Sequence, residues 1–424
     1  MTARALTPAR IRAADYGLTR LAQLNAAIVR GGRAATRATA SFDRDRPVIL
    51  RGYQWVADAF DAGQRDDGFV VHACASYPVA GSQLLLVRQS LSELAAWCDR
   101  GLAALGERGA VSLESKLRCL LAAAYLRMGR LVEAQALLER ARKLARACGD
   151  GRAEAVAASN LGVVLMMLGD TGGALRCHRT AATWYRARNA NREVAANLSA
   201  IGLIQNRRGN HRAARQSFTE ALRIAREHGH PLDVATALGG LGTTYRLLGE
   251  PAIACEMQRQ RFRLATTLGE LKGQQNALGN LASALHDLGH NHEARTLAEQ
   301  SLVLARRLGD VQAEGTDLYH LAGLAEEAGD IHLAISFSDR ACESFAHVGD
   351  SHRLTSSLVL RGRLRWATHD YQTAIGDLER ALVIREKTGD SRATDIRKTL
   401  RRWRPVFEKV NRDRESAQLP SRHP

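Results

Sequence analysis

The chain is poor in aromatic residues and in proline: Phe, Trp and Tyr make up 5% of its 424 residues, and proline occurs eight times. With few helix breakers and abundant Ala, Leu and Arg, the composition favours helices packed closely through small side chains. Paired cysteines are missing too. Seven of them (Cys74, Cys98, Cys119, Cys148, Cys177, Cys255 and Cys342) are scattered without one C-x-x-C spacing. That argues against a disulfide framework or a zinc site and for small buried side chains in a reducing compartment. No window approaches about eighteen consecutive apolar residues, so no membrane span is expected. The basic N-terminus MTARALTPARIRAADYGL leads into no apolar signal-peptide segment. A cytoplasmic protein is the expectation. There is no G-x-x-x-x-G-K-[ST] phosphate loop and no H-E-x-x-H helix, and no nucleophile is paired with a base. The sequence therefore reads as non-enzymatic, without cofactor or metal.

The net charge of +16 suggests nucleic acid until it is placed along the chain. Residues 1–51 carry ten Arg against three Asp, and residues 391–424 carry ten Lys or Arg against four acids. The 339 residues between them keep a net charge of only +3. Basic character belongs to the two ends, where it favours acidic partners in general.

At 424 residues the chain exceeds one compact core, and its sequence repeats. Gly129, Gly169, Gly209, Gly249, Gly289 and Gly329 recur every forty positions, with His369 in the seventh place. Ala134, Ala174, Ala214, Ala254, Ala294, Ala334 and Ala374 keep the same interval. A second series, offset by twenty, runs Gly149, Gly229, Gly269, Gly309, Gly349 and Gly389, with Asn189 in the missing place. Glycine at such intervals marks helix ends in the left-handed conformation, which Asn shares most readily. Asp170, Asn210, Asp310, Asp330, Asp350 and Asp390 follow the beat and are suited to capping the next helix. Each unit is then two helices of roughly fifteen residues, about 22 Å long. The repeated alanine lets the two lie close.

The pattern of Leu161-Gly162, Leu165, Gly169, Ala174 and Ala181 resembles the tetratricopeptide repeat (TPR), lengthened from about 34 residues to forty by an R-x-L-G-D ending such as Arg306 to Asp310. The longer form is similar to TPR sensor arms of bacterial NB-ARC/STAND-type regulators, here without the NTPase. The resemblance implies an all-α, right-handed α-solenoid (a TPR superhelix) of helix-turn-helix repeats. It organises the chain as a helical N-terminal connector (1–72), a degenerate leading repeat (73–112) in which Gly109 pairs with Gly149, seven repeats (113–390), a basic capping helix (391–415) and a disordered tail (416–424). The capping helix is read from Ile396, Leu400, Trp403 and Phe407 at helical spacing.

Two clusters invite chemistry. In ALGNLASALHDLGHNHEA (277–294), His286, His290 and His292 could suggest a metal, but the frame puts His290 in a turn and His292 early in the next helix. Gly172-Gly173 and Gly239-Gly240-x-Gly242 fall on repeat landmarks and read as close helix packing, not phosphate loops. The resemblance also implies that first helices line a concave groove. It places Asn206, Arg207, Thr243, Arg246, Asn276, Asn280, Ser283, His286, Tyr319, His320 and Glu326 there, with Cys119, Val163 and Met166 at equivalent outer positions. Asn can bond both edges of a peptide unit, and Arg can grip a carboxylate. The expected function is a scaffold or sensor that recognises an extended peptide or partner protein, working with a separately encoded NTPase or transcription factor. The alternative is a DNA-binding or peptide-pheromone-responsive transcriptional regulator. It rests on the basic N-terminus, where residues 6–28 echo the start of a helix-turn-helix. Without a recognised motif, sequence-specific nucleic-acid binding is not expected.

Overall fold

A left-handed residue every twenty positions organises most of the chain. The eleven glycines on this beat from Gly129 to Gly349 all have positive φ, and so do the two substitutes, Asn189 (φ 54°) and His369 (φ 65°). The turn after Leu308 shows how one dipeptide ends a helix and starts the next. Gly309 donates its N–H to Arg306 O at 3.0 Å, and Asp310 donates its own to Ala305 O at 2.9 Å. The Asp310 carboxylate then accepts from the N–H of Ala313 at 2.9 Å, capping the following helix. Asp150, Asp170, Asp330 and Asp350 do the same. Asn210 and Asp370 hold the position without a side-chain cap, and Asp390 accepts from Arg392 N at 3.0 Å.

The structure, a computed structural model, describes residues 6–30, 32–106, 110–388, 390 and 392–418. Gly109, Gly389 and residues 419–424 of the expected tail lie outside them. The described residues form helices and no strands, in two units, Met1–His228 and Gly229–Pro424.

The first unit opens with α1 (Pro8–Arg30), α2 (Gly32–Asp61), α3 (Gly68–Ala80), α4 (Ser82–Arg88) and α5 (Leu91–Leu105). Their core joins Leu21, Phe42, Ile49, Tyr77 and Leu94, all essentially buried. Tyr77 donates its hydroxyl to Ala14 O at 2.6 Å, and Tyr53 stacks on Trp97 with ring centroids 3.7 Å apart. Three pairs follow: α6 (Val111–Arg127) with α7 (Leu131–Ala147), α8 (Gly151–Met167) with α9 (Thr171–Arg186), and α10 (Asn191–Arg207) with α11 (His211–Glu227).

The second unit holds four pairs: α12 (Pro231–Leu247) with α13 (Pro251–Leu268), α14 (Leu271–Asp287) with α15 (Asn291–Arg307), α16 (Val311–Glu327) with α17 (Ile331–His347), and α18 (Ser351–Ala367) with α19 (Tyr371–Lys387). The last helix, α20 (Ala393–Gln418), lays Ile396, Leu400 and Trp403 on α18 and α19, where Trp403 stacks on Trp366 at 4.1 Å between centroids. In both units the repeated alanine, from Ala134 to Ala374, is 0% exposed, so the two helices of each pair meet across a methyl group. Among the described residues no single helix is long and apolar enough to cross a membrane. The α3–α4 pair has the composition but is bent by 69°.

Candidate functional site

The first helices of the second unit carry most of the residues singled out from the sequence. Asn276 and Asn280 on α14 and His320 on α16 line a cavity of about 280 Å³. Arg246 from α12, Ser283 and His286 from α14, and Tyr319, His320 and Glu326 from α16 line a second, of about 320 Å³. His320 belongs to both, so the two hollows adjoin. Thr243 lines neither; its hydroxyl donates to Gly239 O at 3.2 Å within α12. Asn206 and Arg207 lie on α10 in the first unit, where Arg207 donates to Met166 O at 3.0 Å and Asn206 Oδ1 lies 3.2 Å from His211 Nδ1.

The first hollow is polar from wall to floor. Lys272, at the start of α14, reaches the carboxylate of Asp310, and Arg353 from α18 pairs with Asp350 at 2.7 Å. Beneath them Ser301 Oγ lies 2.7 Å from Asp317 Oδ2 and accepts from Gln275 Nε2 at 3.0 Å. Asp317 is only 2% exposed. Burial pushes its carboxyl up to about 6, against the bonds from Ser301 and Gln275 that favour the charged form. Asn276 and Asn280 stand one helical turn apart, half-buried, and neither carboxamide has a hydrogen-bond partner among the described residues.

The second hollow has an apolar floor of Ala282, Leu324 and Leu360 under a rim of ion pairs and a hydrogen bond between neighbouring repeats. Arg246 meets Asp287 at 3.2 Å, His286 Nε2 meets Glu327 at 2.8 Å, and Arg363 meets Glu326 at 2.6 Å. All six are at least partly exposed, so the pairs orient side chains and add little stability. His320 sits deep between the hollows with part of its ring still accessible. Desolvation, and then the charges of Arg246, His286 and Arg353, hold it down at about 4, so it is neutral at pH 7.

Ser283 Oγ lies 3.5 Å from His320 Nδ1, but its hydroxyl donates to Gly279 O at 3.0 Å. That bond is the usual back-bond of a helical serine, not the geometry of an activated nucleophile. The three histidines of 277–294 separate: His286 is held by Glu327, while His290 and His292 are exposed at the turn into α15. No group of three His, Cys, Asp or Glu side chains among the described residues is placed to share a metal ion. Gly239 and Gly242 lie in α12, where a Cβ would come within 2.5 Å of Arg261 and 2.3 Å of Gln258. Residues 6–28 do not turn: α1 is one helix to Arg30, and Arg20 is tied to Asp45 of α2 at 2.8 Å.

Gln275, Ser301 and Asp317 escaped the sequence reading, and so did Lys272, Arg353 and Arg363. A signal was present. Forty residues before Asp317 stands Ala277, and before that Ala237. Gln275 follows Ala235 and Ala195 in the same way. A polar residue where the two preceding repeats hold alanine points to a buried polar insertion.

Five of the seven helix pairs, from α6–α7 to α14–α15, match the tetratricopeptide repeat. A tetratricopeptide-repeat family model matches residues 113–187, 154–227 and 193–267, and a second matches 275–308. The described residues are all-α and solenoid-like in each unit, as expected for that class. No curated protein matches it in sequence. In structure it is similar to the apo form of the quorum sensor NprR from B. thuringiensis (14% identity, 82% of this chain and 96% of that one, TM-score 0.59). It is also similar to a Rap protein complexed with competence and sporulation factor (12% identity, 79% and 98%, TM-score 0.54). A third is a signal-transduction ATPase with numerous domains (STAND) that carries a tetratricopeptide repeat sensor, from Pyrococcus horikoshii (12% identity, 80% and 54%, TM-score 0.53). At such identities the likeness is one of fold.

Proposed function

We propose that the chain is a non-catalytic regulatory module that binds an extended peptide, or an extended segment of a partner protein, along α12, α14, α16 and α18. The observation that carries this reading is the pair of unpartnered carboxamides, Asn276 and Asn280, on the wall of a polar hollow. A carboxamide offers a donor and an acceptor together, as a peptide unit does, and two of them half-buried and one turn apart fit a main chain running across the helix. The likeness to a quorum sensor and to a Rap protein holding a factor supports a signalling context. The partner fits a separately encoded NTPase or transcription factor. In the same reading residues 1–72 act as a connector, 73–112 as a leading repeat and 391–415 as a cap that shields the end of the repeats.

The test is a displayed library of random heptapeptides panned on the full chain. It should enrich a recognisable sequence family. Asn276→Ala with Asn280→Ala should then weaken binding of the enriched peptides at least tenfold, on the order of one lost hydrogen bond or more, with an unchanged thermal melt. Affinity within twofold of the parent chain would remove the reading.

A further inference from the structure

We infer that Gly323 sets the bore of the second hollow, and that this hollow takes one large apolar side chain, of Leu, Met or Phe size, from the bound segment. The inference rests on the peptide reading above and names what that peptide must carry.

Gly323 lies in α16 about one turn before its end, in ordinary helical conformation and without the positive φ of the turn glycines. A Cβ placed on it meets nothing within 4 Å. Neither backbone geometry nor close packing therefore asks for glycine there, although glycine weakens a helix interior relative to alanine. Gly279, by contrast, is hemmed in: its Cβ would lie 3.1 Å from Asp317 Oδ1 and 3.2 Å from Ser301 Oγ. The places forty residues apart from Gly323 hold Ala123, Val163, Leu203, Thr243, Ser283 and Arg363. Only at Gly323 does the column have no side chain.

What the missing side chain leaves is open volume. The hollow of about 320 Å³ is at the small end of binding pockets, which run from about 300 to 1,000 Å³. That suits one side chain better than a cofactor. Ala282, Leu324 and Leu360 supply the floor, and the Tyr319 ring closes one side. The rim groups are already engaged: Arg246 pairs with Asp287 and Arg363 with Glu326, while Glu327 accepts from Asn291 and lies 2.8 Å from His286 Nε2. A charged guest would have to displace a pair and lie on an apolar floor, whereas an apolar guest loses nothing to the rim. A small guest such as Ala would leave the volume unfilled and forfeit most of the contact.

The experiment compares the full wild-type chain with Gly323→Ala and Gly323→Leu, using the same random heptapeptide library. The wild type should enrich peptides with Leu, Met or Phe at one fixed position, and changing that residue to Ala should lower affinity at least tenfold. Gly323→Leu should bind the enriched peptides at least tenfold more weakly and lose most of the distinction between them and their Ala versions. Both variants should melt at or above the wild-type Tm, Gly323→Ala by roughly 1–3 °C. Enriched peptides with no fixed apolar position, or unchanged binding by Gly323→Leu, would overturn this inference and leave the peptide reading standing. A lower Tm in Gly323→Ala would overturn the claim that packing leaves the position free. Enrichment of no peptide by the wild type would remove the peptide reading and this inference together.

Discussion

On α6 and α8 of the first unit, Cys119, Leu120, Ala123 and Val156 line a hollow of about 490 Å³ together with Lys116, Arg152 and one carboxamide, Asn160. The corresponding helices of the second unit present Asn276, Asn280, Thr316 and His320 instead, over the buried trio of Gln275, Ser301 and Asp317. The frame beneath is the same in both: left-handed turns at twenty-residue intervals and an alanine of 0% exposure in every pair. The difference teaches a division of labour. Turn glycine and seam alanine fix where the helices lie, and leave the outward positions of the first helices free to be apolar or polar.

The largest effect should come from breaking the frame, and it should ignore the difference between the faces. Ala254→Trp in the second unit and Ala134→Trp in the first each force an indole into a seam that holds only a methyl group. Each should cost about 1–3 kcal/mol or more through overpacking, read as a lowered denaturation midpoint. A neutral outcome at either site would separate the two frames.

The next effect should depend on the face. Asp317 is held up to about 6, so the second unit loses stability as pH rises from about 4 to 6, because the unfolded chain releases that proton first. His320 is held down at about 4 and acts in the opposite sense, losing stability as pH falls through about 6.5 to 4. Asp317→Asn should therefore gain on the wild type by roughly 2–3 kcal/mol between pH 4 and pH 7, following the shift of Asp317. His320→Gln should gain on it toward acid, by less, since its ring is partly solvated. The first unit has a buried histidine of its own, His178, whose ring is lowered by burial and bonded to Asn197 at 2.9 Å. Substituting His178 should relieve an acid-side loss of stability. Denaturation at a series of pH values checks all three, and parallel pH profiles would contradict the assignment.

The smallest effect belongs to the turns. His369 is left-handed without being glycine, so His369→Gly should stabilise its repeat by roughly 1 kcal/mol, less what is lost from the contact of its ring with Tyr371. Asn189→Gly should gain less, because Asn tolerates that region better. A loss at both sites would show that the turn asks for a side chain.

The frame was open to reading from sequence because its constraints are local. A glycine at φ 91°, such as Gly169, and an alanine between two backbones each have one physical reason, repeated often enough to be seen. Much of the candidate site was legible for the same cause: counting along a first helix puts Asn276, Asn280, Ser283 and His286 on one face. What stayed hidden depends on contacts across repeats. Nothing local in Asp317 says that Ser301 and Gln275 will meet it, and nothing in Arg363 names Glu326 as its partner. The emptiness beside Gly323 is a property of the packed helices.

The free cysteines give the molecule a use for its own thiols. Cys74, Cys98, Cys119, Cys177, Cys255 and Cys342 are buried on six different helices, while Cys148 alone is exposed. Burial raises the thiols, Cys342 to about 11 and Cys119 to about 12, so each stays unreactive while its helix is packed. A thiol reagent will therefore mark Cys148 at once and the others only as their own segments open. The order of labelling is a clock, written into the native sequence, for which stretch of the solenoid lets go first.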